Sequence, residues 1–314
     1  MNVDGVITYL DFVAERHRVF EHRQAGDPQP WTTDPVLRGH KFTNTFRILD
    51  YGSQFLLSML TEDLDPRETL ARCFLYRHTG RVEPWEFYEV KHGRYPLIED
   101  FPLALETWKE YRGGVHESVR ADTGRVMMIN ERPVFTGAYL VFPQSQIKGT
   151  DKLDAIVDLA ARLFTPGGPQ DVVPAFLHAE TQLARFQALR RNPGVGDFMA
   201  MQILTDMSYS RWSADRENEF VVAGPGAVKG ARTLFPNRKA LEVIRWAQRE
   251  IHDYPGEPTL TLPNGHTRTP SLMDVQNTLC EWSKYVRYEE KPTSGAFRPA
   301  HPGPQPQPIY PSHW

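Results

Sequence analysis

The stretch Arg190-Arg191-Asn192-Pro193-Gly194-Val195-Gly196-Asp197-Phe198-Met199-Ala200 constrains the fold more than any other part of the chain. Leu183, Phe186 and Leu189 place an apolar stripe at helical spacing before it, and Met199, Ile203 and Met207 continue one after it. Two helices are therefore expected to meet across a Pro-Gly-Val-Gly turn. A turn without Cβ atoms lets another molecule come close to the backbone, and the amide N–H groups ahead of a helix start face an anion. Arg190, Arg191, Gly194, Val195 and Gly196 are accordingly read as a grip on DNA phosphate. The same residues also suit an ordinary corner in a helical protein, because Gly-x-Gly alone is a weak signal.

A second glycine run follows, Ala223-Gly224-Pro225-Gly226-Ala227-Val228-Lys229-Gly230. Gly224, Gly226 and Lys229 are expected to add contacts to the same DNA. Between residues 183 and 239 nine Lys/Arg stand against five acids, a local surplus of four positive charges in a chain whose formal net charge is −3. Phosphate contacts need a local footprint of this kind, and an acidic average does not forbid one. A solvated helix face gives a similar count.

With 314 residues the chain can bury a sizeable core, as one large domain or two smaller ones. No apolar run approaches the roughly 20 residues of a membrane helix, and residues 1–10 lack the basic start and long apolar stretch of a signal peptide. The cytoplasm is the expected location, with no membrane partner. Two cysteines, Cys73 and Cys280, cannot build a disulfide framework or a thiolate zinc site, and the eleven histidines are scattered. No metal and no organic cofactor are expected.

Helical periodicity covers residues 6–24, where Ile7, Leu10, Val13 and Phe20 fall on or near one stripe, and residues 42–60, 66–76, 152–164, 172–189, 236–251 and 272–285. Prolines force residues 28–35, which include Trp31, into an extended link. Residues 95–105 read as a loop leading into a helix, 126–129 as a short strand and 136–142 as an apolar segment. The expected fold is mainly α, one helical body over residues 1–290 with a small irregular or β-containing insertion. Gly167-Gly168-Pro169 suggests a subdomain boundary near 165–170. Residues 291–314, with a proline-rich run at 302–308, read as an extended tail without a core of its own.

The second half resembles the helix-hairpin-helix DNA glycosylases, which place a Gly-Val-Gly hairpin before a helix, then a short extended turn carrying a catalytic Asp, then another helix. Here the corresponding turn is Phe220 to Lys229, and Gly224-Pro225-Gly226 stands where those enzymes put their Asp. Without that carboxylate nothing local stabilises an oxocarbenium ion or activates water, which argues against base excision. Over about residues 5 to 290 the chain is similar to a glycosylase-related helical domain. That domain is shared by phage 5-hydroxymethyluracil DNA kinases and alpha-glutamyl/putrescinyl thymine pyrophosphorylases, some of which act as amino acid:DNA transferases. Residues 30–37, Lys41-Phe42-Thr43-Asn44-Thr45-Phe46-Arg47-Ile48-Leu49-Asp50, Thr136-Gly137-Ala138-Tyr139, residues 194–206, residues 223–230 and Asp274-Val275-Gln276-Asn277-Thr278-Leu279-Cys280-Glu281 carry this likeness in that order. The family's last motif usually reads Cys-Glu-Phe-Asp-Lys-Tyr. Ser283 replaces its second acid here, which withdraws a catalytic role from that position.

The resemblance implies DNA whose 5-hydroxymethyluracil is pyrophosphorylated on the hydroxymethyl oxygen, after which an amino acid or polyamine displaces pyrophosphate at the exocyclic carbon. The setting it implies is a bacterial or phage-infected cell. The chain has no Gly-x-x-x-x-Gly-Lys-Ser/Thr loop, so displacement is expected of it rather than phosphorylation. That step calls for an extruded base, cations for the departing pyrophosphate and a carboxylate that keeps the amine unprotonated. Asp206, Asp274 and Glu281 are the candidate carboxylates. Asp206 either orients an amine or pairs with Arg211. Asp274, Asn277 and Glu281 share a helix face apart from the apolar stripe of Leu272, Val275, Leu279 and Trp282. Asn44 and Arg47, one helical turn apart, are read as holding a uracil edge and a phosphate, against the alternative of a surface pair between Arg47 and Asp50. Trp31 and Tyr139 are candidate stacking platforms, although a Trp also suits a core, and Lys284 is a further substrate contact. Cys280 reads as a small buried hydrophobe. A glycosylase using Asp206 or Asp274, and a non-catalytic DNA-binding partner of a kinase, are the rival readings.

Overall fold

The computed structural model describes residues 3–61, 63–113, 115–119, 126–130, 132–137, 150–213, 216–291 and 307–314, with backbone alone for 3, 115–119 and 126–130. Among them are thirteen α-helices: α1 (Val3–Ala25), α2 (Pro35–Gly39), α3 (Tyr51–Met59), α4 (Pro66–Thr79), α5 (Glu83–His92), α6 (Phe101–Arg112), α7 (Lys152–Phe164), α8 (Val173–Leu177), α9 (Gln182–Arg190), α10 (Asp197–Ser208), α11 (Pro225–Leu234), α12 (Ala240–His252) and α13 (Leu272–Glu290). Two antiparallel hairpins accompany them: β1 (Val115–Val119) pairs with β2 (Val126–Asn130), and β3 (Leu260–Thr261) pairs with β4 (Thr267–Arg268). The fold is mainly helical with a small β insertion. No helix among the described residues is long and apolar enough to cross a membrane.

The chain forms two compact units, Met1–Leu57 with Ser213–Trp314, and Ser58–Trp212. In the first, α13 is the central helix. Ser271 caps it, its side chain accepting from the Asp274 N–H while the Asp274 carboxylate accepts from the Ser271 N–H, a reciprocal pair that satisfies two otherwise orphan donors. Leu272, Val275, Leu279 and Trp282 are buried as their spacing requires. Tyr9 and Phe12 of α1 meet Trp282 edge-on and tilted, and the Tyr9 hydroxyl pairs with Thr278 at 2.6 Å. The α11 helix lies close against α13 because its contact face is Gly226, Ala227, Gly230 and Ala231. A Cβ at Gly230 would stand 2.0 Å from the Leu279 carbonyl oxygen, and one at Gly226 2.2 Å from the Cys280 sulfur.

In the second unit α4 takes the central place, with ten of its residues buried. Asp65 caps it, Pro66 opens it and Gly80, at φ 62°, ends it in the left-handed conformation that suits glycine. Phe74, Trp85, Trp108 and Phe164 are among its fully buried side chains. Full burial of side chains of this size contributes about 1.5–3 kcal/mol each. The turn at Gly167-Gly168-Pro169 lies inside this unit, between α7 and α8.

Three helix expectations change. Residues 42–60 are not one helix: 41–46 are extended or bent, Arg47–Leu49 form a single 3-10 turn, and α3 starts only at Tyr51. Residues 172–189 divide into α8 and α9 because Thr181 turns its side chain to cap the Ala184 N–H. Helix α12 starts at Ala240 rather than near 236. Of the tail, residues 307–314 are described. There the Gln54 amide meets both backbone groups of Ile309, at 2.6 and 3.0 Å, and the Arg268 guanidinium lies 3.7 Å from the Trp314 ring centroid.

Candidate functional site

The polar face of α13 holds the segment that precedes α3. The Thr43 N–H donates to Glu281 Oε2 at 3.0 Å, Asn277 Nδ2 donates to Thr43 Oγ1 at 3.0 Å, and the Arg47 N–H donates to Asp274 Oδ1 at 2.7 Å. Lys284 completes the row with a 2.7 Å ion pair to Glu281, its ammonium 4.7 Å from the Phe42 ring centroid. Helical spacing thus does align Asp274, Asn277, Glu281 and Lys284, but the two carboxylates accept from backbone N–H groups of the segment. Asn44 and Arg47 lie on a bent segment and not on a helix face. The Asn44 side chain donates to the Leu49 carbonyl at 2.7 Å, and its N–H donates to Asp50 Oδ1 at 2.7 Å.

Arg16 of α1 approaches the same segment from below. It is 4% exposed, and it donates to the Thr43 carbonyl at 3.0 Å and the Asn44 carbonyl at 2.8 Å, while Nη1 has no hydrogen-bond partner among the described residues. Burial lowers the pKa of this guanidinium, opposed by Glu281 and Asp50. Asp50 shows the converse: burial pushes its carboxyl up to about 6, against the Asn44 N–H, Arg47 and Arg16. Burial also raises the Asp274 carboxyl, whose Oδ1 accepts from Arg47 and whose Oδ2 accepts from the Ser271 N–H and hydroxyl. The Cys280 thiol is raised by burial too, which keeps it from being a thiolate near neutral pH.

Beside this network opens a cleft of about 600 Å³, whose lining includes Arg16, Arg23, Trp31, Arg38, His40, Lys41, Phe42 and Asn44. Trp31 is half-buried, its indole N–H donates to the Asp27 carbonyl at 2.8 Å, and the Arg23 guanidinium lies 5.4 Å from its ring centroid. His40 stacks on Tyr288 at 3.8 Å.

The remaining sequence candidates fall elsewhere. Tyr139 lies outside the described residues. Asp206 is in the second unit, wholly enclosed, and both its oxygens accept from the Arg77 guanidinium, which was neither of the two roles weighed for it, an amine or Arg211. The turn between α9 and α10 lies in that unit: Gly194 has φ 92°, Val195 is buried, Gly196 caps α10 with open space where a Cβ would stand, and Arg191 is exposed. Arg190 pairs across the turn with Asp197. In the first unit Gly224 caps α11 and Lys229 is exposed, whereas Gly226 faces Cys280 and serves helix packing. Arg16, Arg23, Arg38, His40, Lys41 and Asp50 were not legible as a group. The usable signal was the charged segment 41–50 itself, which loses its meaning when read as a helix.

The family described as "5-hmdU DNA kinase, helical domain" matches the chain over residues 4–295. The chain belongs to this family. It is 24% identical over 318 residues to the 5-hmdU DNA kinase of Bacillus phage SP10, an alignment that takes in 89% of this chain and 44% of that protein. This helical-domain chain therefore spans less than half the length of the relative. No solved structure matches it. Both the α13 row and the segment it holds fall within the residues matched by the helical-domain family.

Proposed function

We propose that this chain takes part in hypermodification of thymine-derived bases in DNA. Specifically, it transfers an amino acid or amine to the exocyclic carbon of 5-pyrophosphoryloxymethyl-deoxyuridine and releases pyrophosphate. In that step the amine nitrogen forms the new C–N bond, the C–O bond breaks with its electrons leaving on pyrophosphate, and a carboxylate takes the proton shed by nitrogen.

The observation that supports the reading is the cationic, tryptophan-bearing cleft, whose lining residue Asn44 donates its backbone N–H to Asp50. A carboxyl titrating near 6 is ionised at neutral pH yet basic enough to accept a proton, as a general base should be. Glu281, held by Thr43 and Lys284, is the second candidate, with Asp274 and Asn277 positioning the segment. Trp31 offers a face for an extruded base. The hairpin, through Arg191 and the open backbone at Gly196, supplies the hold on DNA.

The match to the helical domain of a longer kinase also favours a second reading, a DNA-binding module serving a kinase. Duplexes containing 5-hydroxymethyluracil or its pyrophosphorylated form, incubated with protein and an amine mixture and then digested to nucleosides, separate the readings. Transfer gives a nucleoside heavier by the amine, and the binding module leaves all masses unchanged. Alkali-induced strand breaks above background would point instead to base excision.

A further inference from the structure

We infer that the outward face of α11 and α12 is a second surface for the sugar–phosphate backbone of duplex DNA, carried by Arg232, Arg238, Lys239, Arg245 and Arg249. That DNA is the partner rests on the reading above. Residues 229–250 hold six Lys/Arg against two acids, Glu242 and Glu250, and all six cations, Lys229 included, are exposed. They lie in the first unit, whereas Arg191 and its turn lie in the second.

Packing sends these cations outward. Helix α11 turns Ala227, Gly230, Ala231 and Leu234 inward, and a Cβ at Gly230 would meet the Leu279 carbonyl of α13, so the helix has little room to rotate about its axis. Lys229 and Arg232, one turn apart, are left on its solvent side. Helix α12 buries Val243, Ile244, Ala247 and Ile251, which leaves Arg245 and Arg249, again one turn apart, exposed. Phe235 joins the two helices: its ring meets Trp246 edge-on at 4.6 Å, and the Arg238 guanidinium lies 4.8 Å from its centroid. An aromatic ring rather than an acid thus holds Arg238 in place.

The second, independent observation is that these cations lack carboxylate partners. Exposed cations elsewhere are paired: Arg18 with Glu15 at 2.8 Å, Arg162 with Asp158 at 3.3 Å, and Lys91 with Glu110. Among the described residues none of the six has an ion pair, and Glu242, three residues from Lys239 and from Arg245, pairs with neither. Like charges gathered without acids repel one another, and a polyanion laid across them relieves that repulsion. Cations about 5–6 Å apart along a helix face match the repeated single charges of a nucleic-acid strand better than one compact anion. Contacts of this kind position a duplex without reading its sequence.

The test is fluorescence anisotropy of the whole chain with an unmodified duplex over a range of salt concentrations. Arg232→Gln/Arg238→Gln/Lys239→Gln removes three cations at exposed positions; Arg245→Gln/Arg249→Gln, on α12 alone, carries the test if circular dichroism shows the first variant unfolded. Arg18→Gln/Lys91→Gln/Arg162→Gln is the control, the same change of charge at paired positions. Wild-type affinity should fall steeply with salt. In the α11–α12 variants the slope of log affinity against log salt should drop by about one for each cation removed, and affinity by about ten-fold or more, while the control keeps the wild-type slope. No duplex binding by the wild-type chain, an unchanged slope in the α11–α12 variants or an equal drop in the control overturns the surface. So does a variant that keeps its duplex affinity and loses binding to vesicles of anionic lipid, since the cations then serve a membrane. A reduced slope in the variants, with no amine adduct formed on DNA by the wild-type protein, leaves this surface standing and sinks the transfer reading; adduct formation with an unchanged slope does the reverse.

Discussion

Gly230 and Gly196 belong to two glycine runs that look alike in sequence and answer to different physics. At Gly230 a Cβ would press into the Leu279 carbonyl of the facing helix, so Gly230→Ala must move α11 off α13. It should cost about 2 kcal/mol or more in denaturant-induced unfolding, the scale of overpacking. At Gly196 the φ is −80° and a Cβ meets nothing. Gly196→Val should cost about 1 kcal/mol or less and still weaken binding to modified and unmodified duplex alike, because it blocks backbone approach. A folded Gly196→Val variant with unchanged DNA affinity would remove the hairpin from the binding surface. Asp50 gives a pH signature. Its carboxyl is raised from 3.8 to about 6, so it is protonated in both states below pH 4, ionised only when unfolded between 4 and 6, and ionised in both states above. Its contribution to stability is therefore lost as pH rises through that window. Asp50→Asn should gain stability over the wild-type protein from pH 4 to 6 and hold the gain above; a difference that does not vary with pH contradicts this account of the burial.

Helix α13 shows how an element can be legible while its purpose is not. The Ser271 cap, the Asp274 return contact and the apolar stripe are all local, and sequence spacing finds them. The same holds for α4 and α7, each announced by an Asp cap. Segment 41–50 is the opposite case. Phe42, Phe46, Ile48 and Leu49 mimic a helical pattern, yet its backbone donors at Thr43 and Arg47 are satisfied by Glu281 and Asp274 of α13, a helix more than two hundred residues away in sequence. Tertiary hydrogen bonds override local propensity there, and so the grouping of Arg16, Lys41 and Asp50 was hidden. Ser271→Ala should cost about 1 kcal/mol, as lost caps do. Asp274→Ala should cost more, in the range of about 1–3 kcal/mol for a buried donor left unpaired, because it removes the acceptor for Arg47 as well as half of the cap. Equal losses in the two variants, read from chemical denaturation, would mean that Asp274 does no more than cap its helix.

At the scale of the whole molecule, the mainly helical fold and the family follow from ordered motifs spread along the chain, and the family match over residues 4–295 agrees with them. The division into units was less legible. The first unit is assembled from both ends of the chain, Met1–Leu57 and Ser213–Trp314, and no change of composition marks either crossing. That assembly brings α1, the link with Trp31 and α13 into one body, and with them the described residues that line the cleft. Amine transfer to a pyrophosphorylated base is the activity proposed for this body. Its most direct measurement counts two products in one reaction of wild-type protein with 5-pyrophosphoryloxymethyl-deoxyuridine DNA and an amine pool: pyrophosphate released, and nucleoside whose mass has gained the amine. Both should appear, mole for mole, and Asp50→Asn or Glu281→Gln should slow them by roughly a hundred-fold or more with DNA binding kept. Pyrophosphate without adduct, or neither product with any common amino acid or polyamine, would contradict it.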